Sequence, residues 1–163
     1  MANYKLILDD DFGEDFSLLA IHCSEEAYKM AYLLNKALSL RLHRKKVDLD
    51  YSDNGLEITF PLFEFEDEMQ YTTYHLVANC CKSKVAMLQS SGGLFGNTPE
   101  TKTVTTHLIP EYGKVDFFLK ISSDFEAIPL RSLTTSMNEI PQIISTYTVE
   151  TQDLKSKHNL IFD

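Results

Sequence analysis

The clearest alternation of apolar and polar side chains in this sequence runs over residues 115–121. Successive side chains of a β-strand point to opposite faces, so the alternation predicts a strand with one strongly apolar face. The residues of that face are Val115, Phe117, Leu119 and Ile121. Because Phe118 lies on the opposite face, we expect both faces to be covered and place this strand inside the sheet.

The segment before this strand, residues 109–114, has the composition of a turn. Pro110 has no N–H to donate, so the sheet should be interrupted there. Gly113 is expected to take a positive φ and to reverse the chain. We interpret the segment as primarily architectural, and polar side chains in such a turn normally face water. The candidates for contact with a partner are Glu111, Tyr112 and Lys114.

Two segments repeat apolar residues at helical spacing. The first spans about residues 25–39, with Ser24 as the expected N-cap. The second lies between Pro129, which suits a first helical turn, and Pro141, which ends the helix. The side chains expected to pack on the sheet are Met30, Leu34, Leu133 and Met137.

The remaining apolar runs have the length and composition of strands. They cover residues 4–8, 16–23, 56–65, 71–81 and 143–150. Within the third run the apolar phase slips by one residue beside Pro61, which predicts a β-bulge or a bent edge strand. A charged connection joins this run to the next one, and the two are expected to form a hairpin.

This order of elements predicts an α+β fold, with two helices packed on one face of a mostly antiparallel sheet. A split β-α-β arrangement of ferredoxin-like type is one form of it. The 163 residues suit a single domain. Residues 82–108 lack a clear period and are interpreted as an irregular insertion, with a short hairpin around its turn residues. The apolar residues 160–162 are expected to dock on the body.

Charge and composition narrow the class of protein. With 44% hydrophobic and 24% charged residues the chain is globular, and its net charge of −9 disfavours nucleic acid and anionic membranes as partners. Such a charge suits a basic partner. No apolar segment has the length of a signal-peptide core or a membrane span, so we expect a cytoplasmic protein. Cys23, Cys80 and Cys81 fit reduced thiols there.

No pattern in the sequence assigns a catalytic, cofactor-binding or metal-binding residue. The carboxylates of 9–15 lack the spacing of a calcium-binding loop, so a solvated acidic turn is favoured over a cation site. The carboxylates of 64–68 are interpreted in the same way. The five histidines share no spacing typical of a zinc site. The basic cluster at 41–46 is interpreted as a solvated connection in preference to an RNA contact.

Ile109-Pro110-Glu111, followed by Asp116-Phe117, resembles the signature of the IPExxxDY family, small proteins chiefly of the Bacteroidota without an established function. The likeness extends to residues 5–9 and 154–162, and it covers most of the chain outside the insertion. Phe117 stands where the signature has Tyr, and the gap between Glu and Asp is one residue longer than the family name implies. The resemblance implies no activity, cofactor or catalytic residue.

We expect a non-enzymatic protein-interaction or adaptor domain whose partner is another cytoplasmic protein. An acidic surface and an irregular insertion occur here without a catalytic constellation. The alternative is a domain that senses a small ligand. A weaker alternative is an enzyme that holds a metal ion with carboxylates. Neither a membrane nor a nucleic acid is an expected partner.

The substitution Leu34→Ala tests the core face assigned to the first helix. Removal of a buried leucine side chain leaves a cavity, so the free energy of unfolding is expected to fall by about 2–5 kcal/mol. Urea denaturation of the variant beside the parent measures this loss. A loss below about 1 kcal/mol would place the helix on the surface without a core face.

Overall fold

The computed structural model describes residues 15–53, 56–86, 101–124 and 127–162. In chain order its strands are β1 (Ser17–Cys23), β2 (His43–Arg44), β3 (Leu49–Asp53), β4 (Leu56–Phe60), β5 (Leu62–Asp67), β6 (Thr72–Ala78), β7 (Cys80–Ala86), β8 (Thr101–His107), β9 (Phe117–Ser123) and β10 (Ile143–Val149). The helices are α1 (Ala27–Leu38) and α2 (Leu130–Asn138), with short 3-10 helices η1 (Pro110–Tyr112), η2 (Thr151–Asp153) and η3 (Lys157–Leu160).

The central sheet has the strand order β10-β1-β9-β6-β5-β2, and each neighbouring pair is antiparallel. β9 lies inside it, between β1 and β6, as the apolar alternation predicts. Both α1 and α2 pack on one face, which confirms an α+β fold with helices on one side of a mostly antiparallel sheet. The order of β10, β1, β9 and β6 is compatible with a split β-α-β arrangement.

The helix-covered face is filled by alternate side chains of β1, β5, β6 and β9, which form one buried cluster with α1 and α2. Met30, Leu34 and Met137 are buried there, as their helical spacing predicts, whereas Leu133 is only partly buried. Complete burial of one such side chain stabilises the fold by about 1.5–3 kcal/mol. This face therefore supplies a large share of the hydrophobic stabilisation.

A β-hairpin and two irregular segments cover the second face of the sheet. The hairpin of β3 and β4, the segment 108–115 and the C-terminal segment 150–162 pack on it. Their buried anchors include Phe60, Ile109, Val115, Leu154 and Leu160. η2 and η3 lie in the C-terminal segment. The expectation that this part of the chain docks on the body is therefore confirmed.

The turn before β9 differs from the sequence expectation in two details. Gly113 has a φ of −59°, so the expected positive φ is wrong, and the chain reverses through η1 with Pro110 in its first turn. Proline needs no N–H partner there, and the reversal uses ordinary negative φ values. Val115 precedes the strand and packs with Phe118 on the second face, whereas Leu119 packs on the helix-covered face. The expectation that Val115 shares a face with Leu119 is therefore wrong.

The predicted strand over 71–81 consists of two strands that meet at Asn79. β6 belongs to the central sheet, whereas β7 leaves it and forms a separate two-stranded ribbon with β8. This ribbon confirms a hairpin within the insertion. The hairpin of β5 and β6 is confirmed too, with Asp67 directly opposite Thr72.

The slip of apolar phase beside Pro61 marks a change of sheet. β4 ends at Phe60 and pairs with β3, whereas β5 begins at Leu62 and pairs with β6. Phe60 and Leu62 pack on the second face, and Phe63 packs on the helix-covered face. The chain therefore bends at the proline, where no backbone donor is available to continue a ladder.

α1 begins later than the sequence predicts. Its N-cap is Glu26, which makes no side-chain capping bond, so the expected cap at Ser24 is wrong. Glu25 still forms an ion pair with Lys29 one turn later, at 3.1 Å. The helix ends at Ser39, which adopts a left-handed conformation with a φ of 56°.

Asparagine side chains form hydrogen bonds with backbone groups at both margins of the sheet. Asn138 of α2 donates from Nδ2 to Thr146 O at 3.1 Å, and its Oδ1 accepts from the Thr146 N–H at 2.8 Å, on β10. Asn35 of α1 makes the same two bonds with Leu42, next to β2. Each side chain replaces a neighbouring strand at one residue, which protects the margin against pairing with another chain.

Some sequence expectations lie outside the described residues. They are the strand at 4–8, most of the acidic turn at 9–15 and the middle of the insertion, 87–100. Within the described ranges, no helix is both long enough and apolar enough to cross a membrane.

Asn79 holds the junction of sheet, ribbon and turn. Its side chain is fully buried. Nδ2 donates to Tyr112 O at 2.8 Å and to Val115 O at 3.0 Å. Oδ1 accepts from the Ile109 N–H at 2.8 Å. A buried amide bonded on both sides in this way fixes the path of the turn relative to the sheet.

Further hydrogen bonds tie the same segment to its surroundings. The Asn79 N–H donates to Asp116 O at 2.9 Å, and its C=O accepts from the Leu108 N–H at 2.8 Å. Asp116 Oδ2 accepts from the Cys23 N–H at 2.9 Å, so this carboxylate has a backbone donor as its partner. Asn159 Nδ2 donates to Leu108 O at 2.8 Å and connects the C-terminal segment.

The substitution Asn79→Ala tests how far this junction depends on one side chain. It leaves the N–H of Ile109 and the C=O of Val115 without their partner, whereas the C=O of Tyr112 keeps the N–H of Val115. An unmatched buried group costs about 1–3 kcal/mol, so two of them should lower the free energy of unfolding by more than about 2 kcal/mol in urea denaturation.

The matched control for this experiment is Asn159→Ala, which removes a single hydrogen bond to Leu108 O. Its expected loss is about 1 kcal/mol. Equal losses in the two variants would contradict the central place of Asn79.

Candidate functional site

The side chains expected to face a partner lie on η1 and directly after it. Glu111 and Lys114 are exposed, and the half-buried Tyr112 packs edge-to-face on Phe118 with ring centres 6.3 Å apart. Glu111 Oε1 accepts a hydrogen bond from the Ser156 N–H at 2.7 Å. Partial desolvation opposes its ionisation, but hydrogen bonds from its own backbone and from Ser156 outweigh this and lower the pKa of Glu111.

This contact gives Glu111 a structural task, because it ties the C-terminal segment to η1. The exposure of Glu111 and Lys114 agrees with a surface turn. A partner role for Glu111, Tyr112 and Lys114 stays a prediction.

A second group of polar side chains crosses the sheet on the same face. Glu64 of β5, His75 of β6 and Lys120 of β9 lie directly opposite one another in neighbouring strands. His75 is 7% exposed and Lys120 is 3% exposed. Polar and charged groups are buried at a cost unless they are paired, and such groups beside a cleft are candidates for function. We call Glu64, His75 and Lys120 the polar row.

One end of the polar row is a three-way contact on a single carboxylate oxygen. Glu64 Oε2 lies 2.7 Å from His75 Nε2 and 3.0 Å from Lys45 Nζ. Burial opposes ionisation of Glu64, but the hydrogen bonds from Lys45 and His75 outweigh it and lower the pKa of Glu64. Glu64 is therefore ionised at neutral pH.

The other end of the polar row is held by the C-terminal segment and two aromatic rings. Lys120 Nζ donates to Leu160 O at 2.9 Å. The same nitrogen lies 4.8 Å from the ring centre of Phe16 and 5.2 Å from that of Phe162, within the range of cation–π attraction. Phe162 also packs against His75, with ring centres 5.1 Å apart.

His75 is neutral at neutral pH. Burial lowers its pKa and the charges of Lys120 and Lys45 add to this effect, while the contact with Glu64 opposes it. An ionised carboxylate only accepts hydrogen bonds, so the imidazole proton lies on Nε2 and the lone pair on Nδ1. Nδ1 is buried and has no hydrogen-bond partner within the described residues. The row therefore contains an unmatched acceptor.

The polar row lines a cleft of about 800 Å³. Its walls carry six carboxylates and two lysines, namely Asp15, Glu64, Glu66, Asp67, Glu68 and Asp124 with Lys45 and Lys120. We call it the acidic cleft. Asp67 accepts hydrogen bonds from the N–H groups of Met69 and Gln70 in the turn after β5. Glu66, Glu68 and Asp124 form no ion pair with another described residue.

Metal sites and reactive thiols each require particular arrangements of side chains. Among the described residues, no three His, Cys, Asp or Glu side chains are grouped to hold a metal ion. All three cysteines are free thiols, with Cys23 buried and Cys80 and Cys81 half-buried rather than fully buried. Burial raises the pKa of Cys23 and of Cys80, so neither has the lowered pKa of a reactive thiolate.

No family model, curated protein or solved structure matches this chain. The acidic cleft therefore has to be assessed by its own geometry.

Sequence reasoning missed the polar row because its members are far apart in the chain. The carboxylates of 64–68 were expected to be solvated, yet Glu64 is half-buried and carries both Lys45 and His75. One signal was present. Glu64, His75 and Lys120 each have an apolar residue directly before and after them in a strand, and charged or ionisable residues are rarely buried in such a setting.

The polar row should make stability depend on pH. The folded state lowers the pKa of His75 below its ordinary value of 6.5, so the unfolded state binds more protons as the pH falls through that value. The free energy of unfolding should therefore fall on acidification below about pH 6.5. The lowered pKa of Glu64 extends this loss below its ordinary 4.5.

Chemical denaturation at a series of pH values measures this slope for the parent and for His75→Gln, which cannot titrate. The variant is expected to show a flatter profile between about pH 7 and pH 5.5. His43→Gln removes an exposed histidine and should keep the slope of the parent. A slope in His75→Gln equal to that of the parent would contradict the assignment of this pH dependence to His75.

Proposed function

We propose that this chain is a non-enzymatic, cytoplasmic protein-interaction domain that binds a basic segment of a partner protein in its acidic cleft. The observation that carries the proposal is the character of the unmatched groups. The exposed carboxylates Glu66, Glu68 and Asp124 lack ion pairs among the described residues. All of these groups accept hydrogen bonds and cannot donate them. Lysine and arginine side chains donate only, so they complement this set.

Electrostatics favour the same class of partner. Carboxylates around one concave surface repel each other, and the protein walls concentrate their field in the cleft. A cationic side chain that enters relieves the repulsion and forms charge-assisted hydrogen bonds. Among the described residues, neither Lys45, which pairs with Glu64, nor the buried Lys120 forms an ion pair with the exposed carboxylates of the rim. The net charge of −9 adds attraction at longer range and speeds encounter.

The size of the cleft limits what enters it. A volume of about 800 Å³ is within the range of pockets that hold drug-sized ligands, so it accommodates a few side chains of a partner. Two or three basic side chains of a partner fit this volume. We therefore expect most of the binding energy to come from few contacts.

A fluorescently labelled peptide rich in lysine and arginine tests this function. Fluorescence anisotropy should detect binding that weakens as salt is raised, because exposed charges are screened. The double variant Glu66→Gln, Glu68→Gln removes two exposed carboxylates of the rim. Each exposed pair contributes up to about 1 kcal/mol, so the peptide dissociation constant should rise by about tenfold.

The matched control is Glu57→Gln, Glu139→Gln, which changes net charge equally at exposed positions outside the acidic cleft. Its affinity for the peptide should stay within about twofold of the parent. Absence of binding at low salt, or equal weakening in both double variants, would refute the proposed function.

A second candidate function is the sensing of a small ligand. The volume of the cleft and its mixture of carboxylates with Lys45, His75 and Lys120 suit a small amine or zwitterion. A ligand that binds only the folded state raises the midpoint of thermal unfolding, so a thermal-shift screen of small amines separates this function from peptide binding. The resemblance to the IPExxxDY family remains a proposal about relationship and assigns neither function.

A further inference from the structure

A second charged surface of this chain has the opposite sign to the acidic cleft. The ribbon of β7 and β8 carries Lys82, Lys84 and Lys102, and its two strands contain no carboxylate. The three lysines are exposed and form no ion pair with another described residue. Residues two apart on a strand share a face, so Lys82 and Lys84 project together. We call their side of the ribbon the basic face.

The neighbours of these lysines make the basic face uniformly polar. Lys82 lies opposite Thr105 and Lys84 lies opposite Thr103 on β8. Both threonines are exposed. The other face of the ribbon begins with Cys81, whose Sγ lies 3.8 Å from Thr59 O on β4. The ribbon therefore packs on the body through one face and presents Lys82 and Lys84 on the other.

The basic face and the acidic cleft lie at opposite ends of β6. The cleft is lined by Thr72 and Thr73 at the start of this strand, whereas β7 follows Asn79 beyond its end. Seven residues of strand span about 23 Å. The contact of Cys81 with β4 keeps the ribbon at its own end of the sheet. The lysines of one copy therefore cannot enter the cleft of that copy.

We propose that the basic face of one copy occupies the acidic cleft of a second copy. This inference rests on the proposed function, since it names the basic segment that the cleft receives. Lys82 and Lys84 supply donors, and the exposed carboxylates Glu66, Glu68 and Asp124 supply acceptors. A hydrogen-bonded ribbon is ordered before it binds, so less conformational entropy is lost than with a flexible peptide.

The contact uses two different surfaces, so it is head-to-tail. Each added copy leaves one ribbon and one cleft unoccupied, and such association continues into chains unless its rotation closes a ring. Two copies with a net charge of −9 repel each other, but the Debye length of about 8 Å at physiological salt screens that repulsion. Association should therefore be strongest near physiological salt and weaker at both lower and higher salt.

Sedimentation velocity of the full chain over a range of concentrations tests the inference, with thermal denaturation to confirm that each variant is folded. The parent should sediment faster as concentration rises near 0.15 M salt, and as a monomer near 1 M, where the Debye length is only about 3 Å. The variant Lys82→Glu, Lys84→Glu and the variant Glu66→Lys, Glu68→Lys should each raise the dissociation constant at least about tenfold.

Mixing these two reversed variants is the decisive measurement, because each then offers a surface complementary to the other. Association should return in the mixture. The matched control Lys36→Glu, Lys155→Glu makes the same change of net charge at exposed positions outside the ribbon and should associate like the parent. A parent that stays monomeric at every concentration, or a mixture that does not associate, overturns the proposal.

Peptide binding by the same preparations separates this result from failure of the proposed function. A monomeric chain that still binds the basic peptide keeps the function and loses the second copy as its partner. Loss of both overturns both.

Discussion

Between β6 and β7 the chain leaves the central sheet, and the backbone groups at the departure need hydrogen-bond partners. The N–H and C=O of Asn79 pair with Asp116 and Leu108. Its buried side chain also bonds to Ile109, Tyr112 and Val115 in the turn before β9. The turn that it holds delivers the chain into β9, the strand at the centre of the sheet. The ribbon, the turn and the central strand thus take their positions from one amide. A buried polar group so fully bonded favours one arrangement over its alternatives.

The two faces of the sheet differ because different structure covers them. α1 and α2 use their backbone groups internally, and the face beneath them is apolar. The second face is covered by turns and by the C-terminal segment, whose free carbonyl groups can accept hydrogen bonds. Leu160 O does so from Lys120. Irregular cover of this kind allows charged side chains on a buried face, and Phe162 of the C-terminal segment lines the acidic cleft.

The periodic spacing of apolar residues predicted the elements whose buried side chains recur at regular intervals. It located both helices, the central strand and the hairpin of β5 and β6, because each depends on contacts made by regularly spaced residues. It failed at Ser24 and Gly113, because periodicity does not determine caps and turns. It also failed at Asn79, where the chain is held by hydrogen bonds to distant residues. For a related reason, periodicity did not predict the polar row. Alternation assigns a face to His75 but does not identify Glu64 and Lys120 as its neighbours, since strand order is a long-range property.

The hydrogen bonds at the margins of the sheet bear on the proposed recognition by charged surfaces. A partner strand that extended the sheet at β10 would have to displace Asn138 from Thr146, and one beyond β2 would have to displace Asn35 from Leu42. Strand addition therefore begins with the loss of existing hydrogen bonds. The exposed lysines of the ribbon and the exposed carboxylates of the cleft have no ion pair with described residues that a partner would first have to break. Under the proposed recognition by charge, a surface of opposite sign is favoured and a like-charged surface is disfavoured, whatever the net charge of the whole partner.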